Sequence, residues 1–290
     1  MIIVRLWGGL CNQMFQYAFG YALANKNHDD VRFDVDFYLN QPGYVDRRDL
    51  EINVLFQIPG FETVNRARAI IPLQNRIISN ITRRINSFQL RLPGKIIYYK
   101  EKKHKYNPSV VYNPNCINYY DGYWQTELYF KQYEEEIKNI FSYSEKTMAK
   151  VKVWLDHLNN QNTVALHIRR GDLSKGVGSL SENAIIDYYF RAIEYFNKTV
   201  NRPVFVVVSD NISWCKGIFH ELTNIVYQEN GSWSAVDDLC CISLCKHGIM
   251  SASTFSWWGN WLGASDGRVV VAPSGSYYNE CFLPDRWTTI

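Results

Sequence analysis

Two adjacent arginines stand in His167-Ile168-Arg169-Arg170-Gly171-Asp172, directly after the apolar run Thr163–Leu166. Guanidinium forks bind phosphate oxygens two at a time, and a glycine lets the backbone approach a ligand. The apolar run reads as a buried strand, and open α/β sheets bind ligands at the carboxyl ends of their strands. Such an edge suits a diphosphate, each charged hydrogen bond contributing about 1.5–3 kcal/mol. The tripeptide alone also allows a plainer reading, an exposed basic turn paired with Asp172.

Three other groups have chemistry-bearing spacing. Gly8-Gly9-Leu10-Cys11-Asn12-Gln13 follows the first strand-like run. Its glycines permit a tight turn, and Asn12-Gln13 open a helix whose free N–H groups attract polar ligands or are simply capped by the asparagine. The pattern is not GxGxxG, so a nicotinamide or flavin site is not indicated. In Ser251–Trp261, the hydroxyls of Ser253 and Thr254 precede a helix start able to hold a phosphate, whereas Trp257 and Trp261 read as core. Asp237-Asp238 offers a carboxylate matching the N1–H and amino donors of guanine, with one of the two expected to cap a helix instead. Asp34-Val35-Asp36 has the form of a metal-binding DxD triplet, and Cys240, Cys241, Cys245 and His247 lie close in sequence. Short acidic triplets arise by chance, and the cysteines lack CxxC spacing, so buried small side chains are expected there.

These groups need elements to carry them. Strand-like runs at Ile2–Trp7, Val31–Phe37, Ile96–Lys100 and Ile117–Tyr120 alternate with helical stretches at Asn12–Lys26, Glu127–Phe141 and Glu145–Leu158. In the second half, strands are expected at Thr163–Ile168, Val204–Ser209, Gly248–Ser251 and Arg268–Ala272. Helices are expected at Ile185–Lys198, Trp214–Leu222, Asp238–Lys246 and Phe255–Leu262. This β-α rhythm implies doubly wound parallel sheets. The polar run Asn159–Asn162 marks the expected boundary between the halves.

Composition narrows the class. With 290 residues and 47% hydrophobic content the chain supports one large or two medium α/β domains. A net charge of +3 makes no case for nucleic acid. Basic residues cluster between Arg66 and Lys105, which suits the anionic inner surface of a membrane, an acidic partner or a merely solvated face. Met1–Trp7 lacks the features of a signal peptide and no apolar run spans a bilayer. Seven cysteines without framework spacing fit reduced thiols in a cytoplasm. The 20 tyrosines and 9 tryptophans give mild support for a carbohydrate site.

Taken together, Gly8–Tyr17, Gly122–Phe130, His167–Asp172, Val207–Asp210 and Ser251–Trp261 resemble glycosyltransferase family 11, the α-1,2-fucosyltransferases, and its bacterial members in particular. Cys11 departs from the pattern, in which a glycine is common. The resemblance implies a GT-B fold, two Rossmann-like domains facing a central cleft. Residues 1–160 would form the acceptor-side domain and 161–290 the domain binding GDP-fucose, with the extreme C-terminus free to pack back on the first. It implies GDP-β-L-fucose as donor, a galactose-terminated oligosaccharide as acceptor, inversion at the anomeric carbon and no metal or other cofactor. Arg169 and Arg170 would take the diphosphate, and His167 and Asp237 would frame guanine. Asp237 is preferred to Asp238 because the resemblance places that carboxylate sixteen residues ahead of the phosphate-binding serine, here Ser253. Ser253, Thr254 and Phe255 would cover the β-phosphate and ribose, with Gly9 and Asn12 reaching the reacting centre from the other domain. Asp172 is the first candidate for the base, with orientation of the arginines as its other role, and Glu182 is the second. A third route has Asn12 orient the acceptor while the departing phosphate takes the proton. Transfer of another GDP-sugar, such as mannose, and non-catalytic GDP or glycan binding are the competing functions.

Overall fold

The computed structural model describes residues 1–41, 43, 47–64, 88–92, 95–101, 105–158, 162–170, 181–229, 231, 233–274 and 281–290, with backbone alone over 88–92. Two compact units emerge: Met1–Ser142 with Asn279–Phe282, and Tyr143–Tyr278 with Leu283–Ile290. The division falls before the helix Glu145–Asp156, not at the polar run Asn159–Asn162, because that helix packs in the second unit through Met148, Val151, Trp154 and Leu155.

The first unit is built on β1 (Ile2–Arg5), β2 (Val31–Asp34), β3 (Thr63–Val64), β4 (Phe88–Leu92), β5 (Ile96–Lys100) and β6 (Ile117–Asp121). They form one sheet in the order β3-β2-β1-β6-β5-β4, in which β4 alone runs antiparallel to its neighbour. Helix α1 (Leu10–Asn27) follows β1 and buries Met14, Phe15, Ala18, Phe19 and Ala22. A Cβ on its Gly20 would come within 3.0–3.2 Å of Val4, Phe33 and Val31, so the helix lies tight on the sheet. Two short helices, α2 (Asp36–Leu39) and α3 (Ile52–Phe56), precede β3. The expected helix Glu127–Phe141 is instead two 3₁₀ turns, Glu127–Tyr129 and Lys131–Tyr133, followed by α4 (Glu134–Ile140). Thr126 caps the first turn, and Phe130, fully buried at φ −136°, ψ 5°, interrupts the α-helical path.

In the second unit β7 (Thr163–Ile168), β8 (Val204–Ser209), β9 (Ile225–Tyr227), β10 (His247–Ile249), β11 (Val270–Ala272) and β12 (Thr288–Thr289) form an all-parallel sheet ordered β12-β11-β10-β7-β8-β9. Every residue of β7 is buried, as a central parallel strand requires. Its side chains alternate faces with period two. Val164, Leu166 and Ile168 of β7, with Phe205 and Val207 of β8, meet α6 (Glu182–Thr199) and α7 (Ile212–Ile218). Ala165, Val206 and Val208 meet α5 (Glu145–Asp156) and α8 (Ala235–Leu244) on the other face. The sheet is therefore doubly wound. Helix α9 (Thr254–Trp261) buries Trp257, Trp258 and Trp261 together.

Helix starts follow their caps. Ser181 caps α6 and Asn211 caps α7. Ser234 caps α8 with Asp237 closing a capping box, so neither aspartate occupies the cap position that the sequence suggested. Arg268 seals the other end of α8. Its guanidinium donates to the carbonyls of Ile242 (3.0 Å), Ser243 (3.4 Å) and Cys245, and to Asn260 Oδ1 (3.0 Å). Among the described residues no helix is long and apolar enough to cross a membrane.

Candidate active site

In a parallel sheet all strands end at one edge, and here that edge collects the carboxyl ends of β7, β8 and β10. β7 delivers His167, Arg169 and Arg170, and β10 leads through Ser251–Ser253 into α9.

His167 is buried, and its Nδ1 lies 2.9 Å from Ser251 Oγ. Its ring stands 5.3 Å from that of Phe255, tilted by 33°. Burial, reinforced by the Arg169 charge and opposed by Asp210, pushes its pKa down to about 3. The imidazole is thus a neutral hydrogen-bonding group across the physiological range. Ser251 is fixed in turn, its N–H donating to Ser256 Oγ at 3.0 Å. Ser253 caps α9, its hydroxyl accepting from the Phe255 N–H at 3.2 Å. Phe255 and Thr254 stay half-buried beside it.

Arg170 is anchored at both ends. Its N–H donates to Asp210 Oδ1 at the end of β8 (2.8 Å). Its Nη1 pairs with Glu182 Oε1 (2.8 Å), and the guanidinium lies 4.3 Å from the centre of the Trp214 ring. Trp214 Nε1 donates to the same Glu182 oxygen at 3.0 Å. Arg169 is half-buried at the strand end. Gly171 and Asp172 lie outside the described residues.

The paired aspartates at the start of α8 differ. Asp237 Oδ2 accepts from Lys150 Nζ (2.9 Å) and from the Ser234 N–H and hydroxyl (2.7 and 3.0 Å). These bonds hold its pKa below the usual carboxylate value despite burial. Asp238 Oδ1 is buried without a partner among the described residues, and burial beside Asp237 raises its pKa to about 6.

In the first unit, Gly8 takes φ +81° in the turn before α1, the left-handed conformation the paired glycines supply. Asn12 Oδ1 accepts from Gln125 Nε2 at 2.9 Å. Two buried glutamines hold the surrounding loops. Gln16 bonds the N–H and carbonyl of Trp7 and the carbonyl of Gly122. Gln13 bonds the carbonyls of Gly8 and Asp49 and the N–H groups of Glu51 and Ile52. The DxD carboxylates are turned inward: Asp34 accepts from the Asp36 N–H (2.9 Å) and the Tyr119 hydroxyl (2.5 Å). Cys240, Cys241 and Cys245 are fully buried in the core beside β7 and β8. No group of three or more His, Cys, Asp or Glu among the described residues is placed to hold a metal ion.

Sequence reasoning missed Ser251, Lys150, Asp210 and Trp214 as partners of the site. Asp210 lay within a recognised block, Val207–Asp210. Lys150 left no local signal, since its partner is 87 positions away.

This architecture is the GT-B class of α/β fold. The chain is similar to the crystal structure of NodZ α-1,6-fucosyltransferase soaked with GDP-fucose (TM-score 0.53, 12% identity, 90% of this chain and 91% of that one). It is equally similar to POFUT1 in complex with GDP (TM-score 0.53, 12% identity, 93% and 97%). The sequence matches Glycosyl transferase family 11 over residues 1–285, and the chain belongs to that family; it is a glycosyltransferase. Among curated relatives, it is 30% identical to an α-1,2-colitosyltransferase of Escherichia coli over 100% of this chain and 99% of the relative. It is 29% identical to the O-antigen biosynthesis glycosyltransferase WbnK of the same organism, over 92% of each. It is 23% identical to galactoside α-(1,2)-fucosyltransferase 2 of Oryctolagus cuniculus over 100% of this chain and 77% of the relative.

Proposed function

We propose that this glycosyltransferase makes an α-1,2 linkage, moving L-fucose from GDP-β-L-fucose to O2 of a terminal galactose with inversion. The observation that carries the reading is the family match along the whole chain, combined with a basic strand edge at His167–Arg170 in the second sheet. Relatives named for α-1,2 transfer and for galactoside support the linkage and acceptor.

In this reading Arg169 and Arg170 stabilise charge on the departing GDP, the role a divalent ion fills in other transferases. Neutral His167 and ionised Asp237 frame guanine, the carboxylate accepting from its N1–H and amino group. Ser253, Thr254 and Phe255 border the β-phosphate and ribose, with the Ser253 hydroxyl already engaged as a cap. Gly9 and Asn12 contribute to the reacting centre. Asp172 takes the acceptor proton; Glu182 is the weaker candidate, because its carboxylate already serves Arg170 and Trp214. The chemistry runs without a metal, in the cytoplasm, with the basic stretch between Arg66 and Lys105 touching the anionic membrane face. Activity unchanged by EDTA checks the first point, and co-sedimentation with anionic vesicles the last.

The decisive assay offers GDP-fucose with a panel of β-galactosides and measures GDP release and product linkage. No release, with or without Mn²⁺, rules the reading out. The colitosyltransferase relative favours a second reading, in which the sugar transferred is colitose. Competition between donors of the two sugars for one acceptor separates the readings.

A further inference from the structure

The two arginines at the end of β7 are not equivalent in their surroundings. Arg170 is held from three elements before any ligand arrives: the end of β8 through Asp210, the first turn of α6 through Glu182, and α7 through the Trp214 ring. Glu182 Oε1 accepts from both the guanidinium (2.8 Å) and the indole N–H (3.0 Å), so carboxylate, indole and arginine form a closed triangle. Asn211 in turn fixes Trp214, accepting its backbone N–H at 3.0 Å. The triangle occupies Nη1 and one face of the guanidinium, while Nε is buried with no partner among the described residues. A guanidinium held this way still leaves 21% of its side chain exposed to a ligand, and its side-chain entropy is already spent.

We propose that Glu182 and Trp214 are positioning residues that seat Arg170 for the donor diphosphate, and that Glu182 does not act as the base. The inference rests on the reading of Arg170 as part of the diphosphate grip. Substrate contacts are not required of either residue; both act through the arginine.

The test is calorimetric binding of GDP to the full chain, with steady-state kinetics alongside. Cation–π contacts and partly exposed ion pairs are modest, so W214L and E182Q should each weaken GDP by about 3- to 10-fold. W214F, which keeps a ring under the guanidinium, should stay within about 3-fold of wild type. In an R170A background W214L should cause no further loss, because the residue it positions is gone. E182Q should raise the donor KM and retain the acid limb of the kcat profile. Equal weakening by W214L with and without Arg170 overturns the inference while leaving the donor site standing. So does E182Q with unchanged GDP affinity and a lost acid limb, which makes Glu182 the base. A wild-type chain that binds no GDP overturns the donor reading and the inference together.

Discussion

At the scale of single residues, charge state decides what each side chain offers. On the proposed role of Arg169 as a donor to the leaving diphosphate, Arg169→Ala should lower kcat/KM by about 100- to 1,000-fold, measured as initial rates of GDP release. Asp238 makes the opposite kind of prediction, on stability. Its pKa is raised in the folded chain to about 6, above the ordinary carboxylate value. A raised carboxylate holds its proton more tightly when folded, so stability falls as pH rises from about 4 through 6. Asp238→Asn removes that penalty, and the variant should be about 1–2 kcal/mol more stable at pH 7, with no gain near pH 4. Denaturant titrations at the two pH values check it.

At the scale of elements, helix ends position the site, and they were unevenly legible in the sequence. The strand Thr163–Ile168 was readable to the residue, because a continuous apolar run has few other meanings beside a basic turn. The start of α8 was not. Two adjacent aspartates drew the cap away from Ser234, and only the fold shows Asp237 closing the box from inside the helix. The interruption at Phe130 escaped for a related reason: its neighbours are good helix formers, and burial of one ring overrode them. Site residues beside strands could be found by type and position, whereas Lys150 and Trp214 acquire meaning only from distant partners. The far end of α8 depends on a buried cation. Arg268 serves three carbonyls there and Asn260, so Arg268→Met leaves those acceptors unmet and should destabilise the chain by about 3–5 kcal/mol. Thermal or denaturant unfolding reads the loss.

For the molecule as a whole, two units each carry a sheet of their own, and the residues proposed to hold the guanine and diphosphate all belong to the second. Hydrogen exchange should therefore slow on GDP binding at 163–170, 234–238 and 251–256, and not in β1 or β6. Protection centred in the first sheet would contradict the donor assignment. The turn before α1 has a use of its own. Gln13 and Gln16 fasten Trp7 and Gly8 from the helix, and a Cβ on Gly9 would meet no described residue within 4 Å. Gly9 sits at φ −79°, ψ 175°, open to any residue. No described residue requires a glycine there, so Ala, Ser and Val at position 9 form a molecular ruler. Because position 9 is the N-cap of α1, Ala and Val should cost about 1 kcal/mol of stability relative to Ser, too little to unfold the chain, while KM for donor and for acceptor should report, in steps of one heavy atom, how near each substrate comes.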